Sequence, residues 1–148
     1  MNVTNFVSFE FPSLPQNVSF ARSSVGAFVA QLECTLDDIE EIKLVVSEAV
    51  SNCIIHGYEN DTKGKVIIMV SIYDNNSLEI VIDDHGKGIE DIEQALEPTY
   101  SSDSNRMGLG FTLMNSFMDE LEVTSIPGEG TRVRLSRSFS LANREAYA

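Results

Sequence analysis

The sequence predicts a single α/β domain, and three observations carry that prediction. A length of 148 residues with 43% hydrophobic content supports one sizeable core and leaves too little chain for a second. Segments with apolar residues at helical spacing alternate with segments that read as strands. The later strand-like segments come in pairs joined by short turns of Asn, Gly or Pro, which predicts hairpins.

The first element is a strand, NFVSFEF from Asn5 to Phe11, rich in aromatic and β-branched residues and stopped by Pro12. A helix is expected next, with Ser13 near its N-cap and Pro15 in its first turn. Val18, Ala21, Val25, Phe28, Val29 and Leu32 recur at helical spacing and give it a core face, while the opposite face is mostly small and polar. Arg22 is the only Lys or Arg before Lys43, an isolated cation projecting from an acidic surface.

Thr35 and Asp38 form a capping-box pattern, with Asp in place of the usual Glu or Gln, and start a central helix that Gly57 is expected to stop. Its apolar positions, among them Ile42, Val45, Val46, Ala49, Val50 and Cys53, leave only a narrow polar strip. Glu48 and Asn52 occupy that strip four residues apart, so they project side by side from one helix face. A carboxylate beside an amide oxygen can orient a hydroxyl and supply oxygen to a hard divalent cation.

After a polar loop from Tyr58 to Gly64, KVIIMVSIY (Lys65 to Tyr73) reads as a strand buried on both faces. Asp74 to Ser77 make the turn, where Asn tolerates positive φ. In the return strand SLEIVIDD, side-chain alternation puts Leu78, Ile80, Ile82 and Asp84 on one face. Asp84 therefore closes a core-facing row and must find donors, whereas Asp83 is expected to be the solvated one. In the HGKGI segment that follows, Gly86 and Gly88 allow backbone to approach a flat ligand.

A short acidic helix is expected from Glu90 to Leu96, then a lid-like loop from Pro98 to Met107. Gly108 and Gly110, with Leu109 between them, are expected to open a helix whose free N–H groups can hold phosphate. In a chain of net charge -13, the positive potential for such an anion would come from that helix start, Arg106, Lys87 and a bound cation. Glu120 to Ile126, the turn Pro127 to Gly130, and Thr131 to Phe139 make a closing hairpin, so the domain is expected over residues 1–140 with a disordered tail at 141–148.

Charge and cysteine usage narrow the function classes. A strongly acidic chain is ill suited to nucleic acid or anionic membranes and well suited to a basic protein partner. Cys34 and Cys53 form no CxxC and have no companion His cluster, so neither a zinc site nor a disulfide framework is indicated. With no signal-peptide pattern and no long apolar run, a cytoplasmic location is expected.

The ordered set Glu48/Asn52, Asp84/Gly86/Gly88, Gly108 to Gly110 and Gly130/Thr131 resembles the ATP-binding (Bergerat-type) fold shared by gyrase, histidine kinases and the mismatch-repair ATPases. Through VVSEAVSNCIIHGY and MGLGFTLMNSFMDELEV the chain is most similar to the sporulation anti-sigma F factors, which are serine protein kinases. That resemblance implies a two-layer sandwich with helices on one face of a mixed, mostly antiparallel sheet. It also implies ATP with Mg2+ at Asn52, the adenine amine at Asp84 with Thr131 nearby, Glu48 as general base, and Arg106 reaching the γ-phosphate. His85 is expected to be exposed and His56 structural.

The implied partners are a sigma factor, an anti-sigma factor antagonist phosphorylated on serine, and a second copy of the chain. Arg22 is the expected shared anchor for sigma factor and antagonist. A stress-response anti-sigma kinase would differ only in its partner. A histidine-kinase catalytic domain is disfavoured because residues 1–40 leave no room for a dimerising hairpin, and a sigma-binding module without phosphotransfer is disfavoured by Glu48.

Overall fold

Among the described residues every strand pairing is antiparallel, where a mixed, mostly antiparallel sheet was expected. The computed structural model describes residues 1–97 and 104–139, without the side chains of 104–106. Five strands are arranged in the order β1-β2-β3-β5-β4: β1 (Val3–Pro12), β2 (Lys65–Tyr73), β3 (Ser77–Asp84), β4 (Glu120–Ile126) and β5 (Gly130–Ser138). The β2–β3 and β4–β5 pairs are the two hairpins read from the turn residues, and Asn76 does take positive φ, at 60°. The segment between them carries α3 (Ile92–Ala95) and α4 (Ser104–Phe117), and its return brings β5 beside β3.

One face of the sheet is covered by α1 (Asn17–Val29), α2 (Leu36–Asn52) and α4. Ala21, Val25 and Val29 of α1 and Ile42, Val46 and Val50 of α2 are buried with Val66, Ile68 and Val70 of β2 and Leu78, Ile80 and Ile82 of β3. Each Val, Ile or Leu among them contributes on the order of 1.5–3 kcal/mol by leaving water. Because helices cover that face alone, β2 alternates between fully buried and partly exposed residues, so the expectation that it is buried on both faces is corrected. Charge covers the opposite face. Both side-chain nitrogens of Arg132 that make contact reach Asp83 at 2.7 Å, and Arg134 pairs with Glu79 at 2.9 Å. Asp83 is thus a paired carboxylate rather than a solvated one.

Local chemistry explains the helix ends. Thr35 accepts the Asp38 amide at 3.0 Å while Asp38 accepts the Thr35 amide at 2.9 Å, the reciprocal cap read from the sequence. Asp38 also receives Arg137 of β5 at 2.8 Å, so the start of α2 is tied to the sheet. At its other end α2 runs into a π-turn, Cys53–Gly57. Ser13 does not cap α1, which begins four residues later behind Gln16. Instead its buried hydroxyl donates to the Asp61 carbonyl and accepts the Gly64 amide at 2.9 Å, pinning the loop before β2. No described helix is long and apolar enough to cross a membrane.

Candidate functional site

The end of α2 with its π-turn, the end of β3 with the loop that follows it, α4 and β5 together supply a cleft. Asn52, Asp84, Gly88 and Thr131 line it together with Cys53, His56, Met107 and Phe111. Residues 32 and 47 positions apart in the chain meet there because α2 lies across the sheet at the place where β3 and β5 pair, Asp84 opposite Thr131. A broader depression on the open sheet face, lined by Glu79, Glu120 and Arg134 among others, holds none of the expected site residues, and its charges pair with one another.

Asp84 is the buried polar end of β3, only 6% exposed as its place in the Leu78–Ile80–Ile82 row requires. Burial pushes its carboxyl above the ordinary range; donors oppose that rise. The Gly86 amide donates to Oδ1 at 2.9 Å, the Cys53 thiol donates from α2's end, and the Thr131 amide donates from β5. The thiol itself is pushed up by burial and then by the neighbouring Asp84 charge, so it stays a proton donor.

The DHGKG turn is gripped from both sides. Lys87 N–H donates to the Gly57 carbonyl at 2.9 Å, and Gly128 N–H donates to the Lys87 carbonyl at 2.6 Å. A Cβ on Gly86 would lie 2.2 Å from the Gly57 oxygen, and one on Gly88 would lie 2.5 Å from the Ile126 oxygen. Gly88 also takes φ +77°, a region that favours glycine. Tyr58 adds a third tie: its hydroxyl donates to the Lys65 carbonyl and accepts the His85 amide at 2.7 Å. The His85 side chain is exposed, as expected.

Glu48 and Asn52 converge on α4. A Cβ at Gly110 would lie 3.1 Å from Oε2 of Glu48 and 3.4 Å from Nδ2 of Asn52. Nδ2 of Asn52 is buried with no hydrogen-bond partner, an omission that costs about 1–3 kcal/mol in a folded protein. An amide left in that state fits a ligand with acceptor oxygens. The donor set also fits Mg2+: the described residues contain no group of three acidic, His or Cys ligands, so a cation here would rely on Asn52, with Glu48 beside it, and on phosphate oxygens.

The glycines of the GLG segment have a different role from the one expected. The helix starts at Ser104, so Gly108 lies in its second turn, where amides are committed to the helix ladder rather than free for phosphate. Gly108 instead lets α4 approach the chain after α3, since a Cβ would lie 2.2 Å from the Glu97 oxygen. Leu109 is 53% exposed on the outer side of α4 and does not join the cleft. The expected lid at 98–103, the Arg106 side chain and the tail from residue 140 lie outside the described residues. Arg22 sits on α1, away from the cleft-lining residues, with Nη2 3.4 Å from the Ser19 hydroxyl.

Sequence reading passed over Cys53 as core and Tyr58 as loop, and took Gly57 only as the stop of the central helix, which it is, without its carbonyl's hold on Lys87. It also passed over Ser125 of β4, whose hydroxyl lies 2.9 Å from that of Thr131. Only cross-strand register identifies such a neighbour.

Comparison with known proteins bears on this geometry. Residues 11–137 match the model of the histidine kinase-like ATPase domain. An anti-sigma F factor of Thermoanaerobacter is 50% identical over 139 residues, covering 93% of this chain and 96% of that protein. Another, from Anoxybacillus flavithermus, is 52% identical over 138 residues, covering 92% and 94%. Among solved structures, the RsbU and RsbW domains of a Mycobacterium tuberculosis protein superpose with a TM-score of 0.67 at 17% identity, covering 91% of this chain and 32% of that longer one. The histidine kinase domain of a blue-light activated kinase from Erythrobacter litoralis superposes with a TM-score of 0.57 at 19% identity, covering 92% and 64%.

Proposed function

Because the chain belongs to the histidine kinase-like ATPase domain family and, within it, to the anti-sigma F factors, we propose that it is an ATP-dependent switch that holds a sporulation sigma factor and phosphorylates a serine of an antagonist protein. The observation that carries this reading is the meeting of Glu48 and Asn52 at Gly110, beside a cleft that ends on buried Asp84.

Each residue has a chemical task in that reading. Asp84, held as an acceptor by three donors, receives the exocyclic amine of adenine. The Asn52 amide offers Nδ2 to a phosphate oxygen and Oδ1 to a hard cation. Mg2+, when bound with the nucleotide, offsets phosphate charge. Glu48 accepts the proton of the antagonist's serine hydroxyl as that oxygen attacks the γ-phosphorus. The bond from phosphorus to the β–γ bridging oxygen breaks and ADP departs, leaving phosphoserine.

Sigma capture is assigned to a surface containing Arg22, for which antagonist and sigma factor compete, in a cytoplasmic homodimer. The test is to incubate the purified chain with labelled ATP, Mg2+ and a lysate of a sporulating relative. Labelled serine on a small antagonist and co-purification of a sigma factor are expected. Label retained only as free phosphate, with no sigma factor captured, would overturn the reading.

A further inference from the structure

Ser125 has a single hydroxyl proton and three polar neighbours. Its Oγ lies 2.7 Å from the Ile89 amide, 3.0 Å from the Gly130 carbonyl and 2.9 Å from the Thr131 hydroxyl. A serine hydroxyl donates once and accepts twice. The Ile89 N–H can only donate and the Gly130 carbonyl can only accept. The one proton of Ser125 is therefore spent on Gly130, and the remaining lone pair faces Thr131. Were the proton turned to Thr131 instead, the Ser125 and Gly130 oxygens would confront each other with lone pairs at 3.0 Å. The arrangement that satisfies all three contacts has Thr131 donating to Ser125.

That assignment fixes what Thr131 can offer the cleft. With its proton committed to Ser125, its oxygen is acceptor-only towards a ligand. Thr131 pairs with Asp84 across β5 and β3, and both line the cleft. Asp84 is itself an acceptor. We propose that Ser125 is a positioning residue that sets the polarity of the Thr131 hydroxyl, so that the cleft presents two neighbouring acceptors and selects a base edge bearing an exocyclic amine over one bearing a carbonyl.

The inference rests on the nucleotide reading of the cleft and adds its base specificity. Adenine presents an amine at the position where guanine presents a carbonyl oxygen, and an acceptor cannot pair with that oxygen. Sites built around fixed hydrogen-bond polarity discriminate strongly because a mismatch leaves buried groups unpaired. Freeing Thr131 to rotate its proton outward would let it donate to the guanine carbonyl and would soften the discrimination.

Calorimetric titration of the full chain with ATP and with GTP, in the presence of Mg2+, tests this. The ratio of the two affinities is the readout, because loss of the Ser125–Ile89 hydrogen bond would loosen a cleft-lining segment and weaken both nucleotides together. Ser125→Ala should lower the ATP preference by about tenfold or more. Ser125→Thr, which keeps the hydroxyl, should retain it. Thr131→Val removes the same acceptor without touching Ile89 and should also lower the ratio, which keeps the test decisive if Ser125→Ala fails to fold. An unchanged ratio in folded Ser125→Ala, or in Thr131→Val, would overturn the proposal. Failure of wild type to bind either nucleotide would instead sink the underlying reading of the cleft.

Discussion

Glu48 and Asn52, one helical turn apart on α2, are kept in contact with α4 by the absence of a side chain at Gly110, where a Cβ would sit 3.1 Å from Glu48 Oε2. Gly110→Ala is therefore expected to displace both functional groups. The half-exposed Glu48 can swing away, so the fold should survive while phosphotransfer falls by about tenfold or more. Thermal melting together with single-turnover labelling of the antagonist separates the two effects, and unaltered phosphotransfer would mean that the contact has no catalytic importance.

Glu48→Gln preserves size and polarity while removing the base. Nucleotide and sigma binding should persist, and phosphoserine formation should drop by about a hundredfold or more. Phosphorylation at the wild-type rate would eliminate Glu48 from that role.

Asp84→Asn and Asp83→Asn separate neighbours on opposite faces of β3. The first substitution introduces an N–H2 group among the donors that surround Asp84 and should abolish ATP binding. The second loses a two-pronged pair with a largely exposed Arg132 and should cost at most about 1 kcal/mol of stability, with ATP affinity kept. Equal loss of binding in both, measured by calorimetry, would contradict the placement of the two carboxylates.

Acidification should weaken ATP binding at a higher pH than an ordinary Asp would allow, because burial raises the Asp84 pKa and only the ionised form accepts the adenine amine. The stability effect has the opposite sense. A carboxyl whose folded pKa exceeds its unfolded one binds protons more tightly when folded, so its contribution is fully present below the unfolded pKa and is lost as pH rises through the folded value. Urea unfolding across this window should thus show wild type gaining on Asp84→Asn as pH falls. A gap independent of pH would mean that Asp84 titrates normally.

Arg22→Glu should weaken sigma and antagonist binding together, by about 2 kcal/mol or more, and leave ATP affinity unchanged. Arg132, Arg134 and Arg137 are held by carboxylates, whereas Arg22 meets a serine hydroxyl at 3.4 Å. Wild-type affinity for both partners in a pull-down titration would reduce Arg22 to a surface charge.

How far these features were legible in the sequence depended on the distance over which the determining interaction acts. The Thr35–Asp38 cap, the hairpin turn at Asn76 and the parity that buries Asp84 are settled within a few residues, and each was readable. The ion pair that removes Asp83 from solvent spans 49 residues and depends on which strand neighbours β3, so no local pattern announced it. The same holds for Ser13, whose partners lie 48 and 51 residues away. The start of α4 at Ser104 was hidden for another reason: the Ser and Asn that open it have weak helix preference and two glycines follow within the next turn, so the packing of Met107 and Phe111 is what commits that turn to the helix.

The π-turn at Cys53–Gly57 turns the cleft into a matter of counting. A widened turn absorbs one more residue than an α-helical turn without rotating what lies beyond it. Asn52 lies before that turn, and Gly57, whose carbonyl holds Lys87, closes it. Adding one further residue within 53–57, with no wider turn left to absorb it, would rotate the far end by roughly 100° and carry Gly57 away from Asp84. Single-residue insertions in this segment should therefore abolish nucleotide binding, while insertions in the loop at 60–63 should be better tolerated. Within this fold, point changes tune the cleft and length changes at one helix end decide whether it exists.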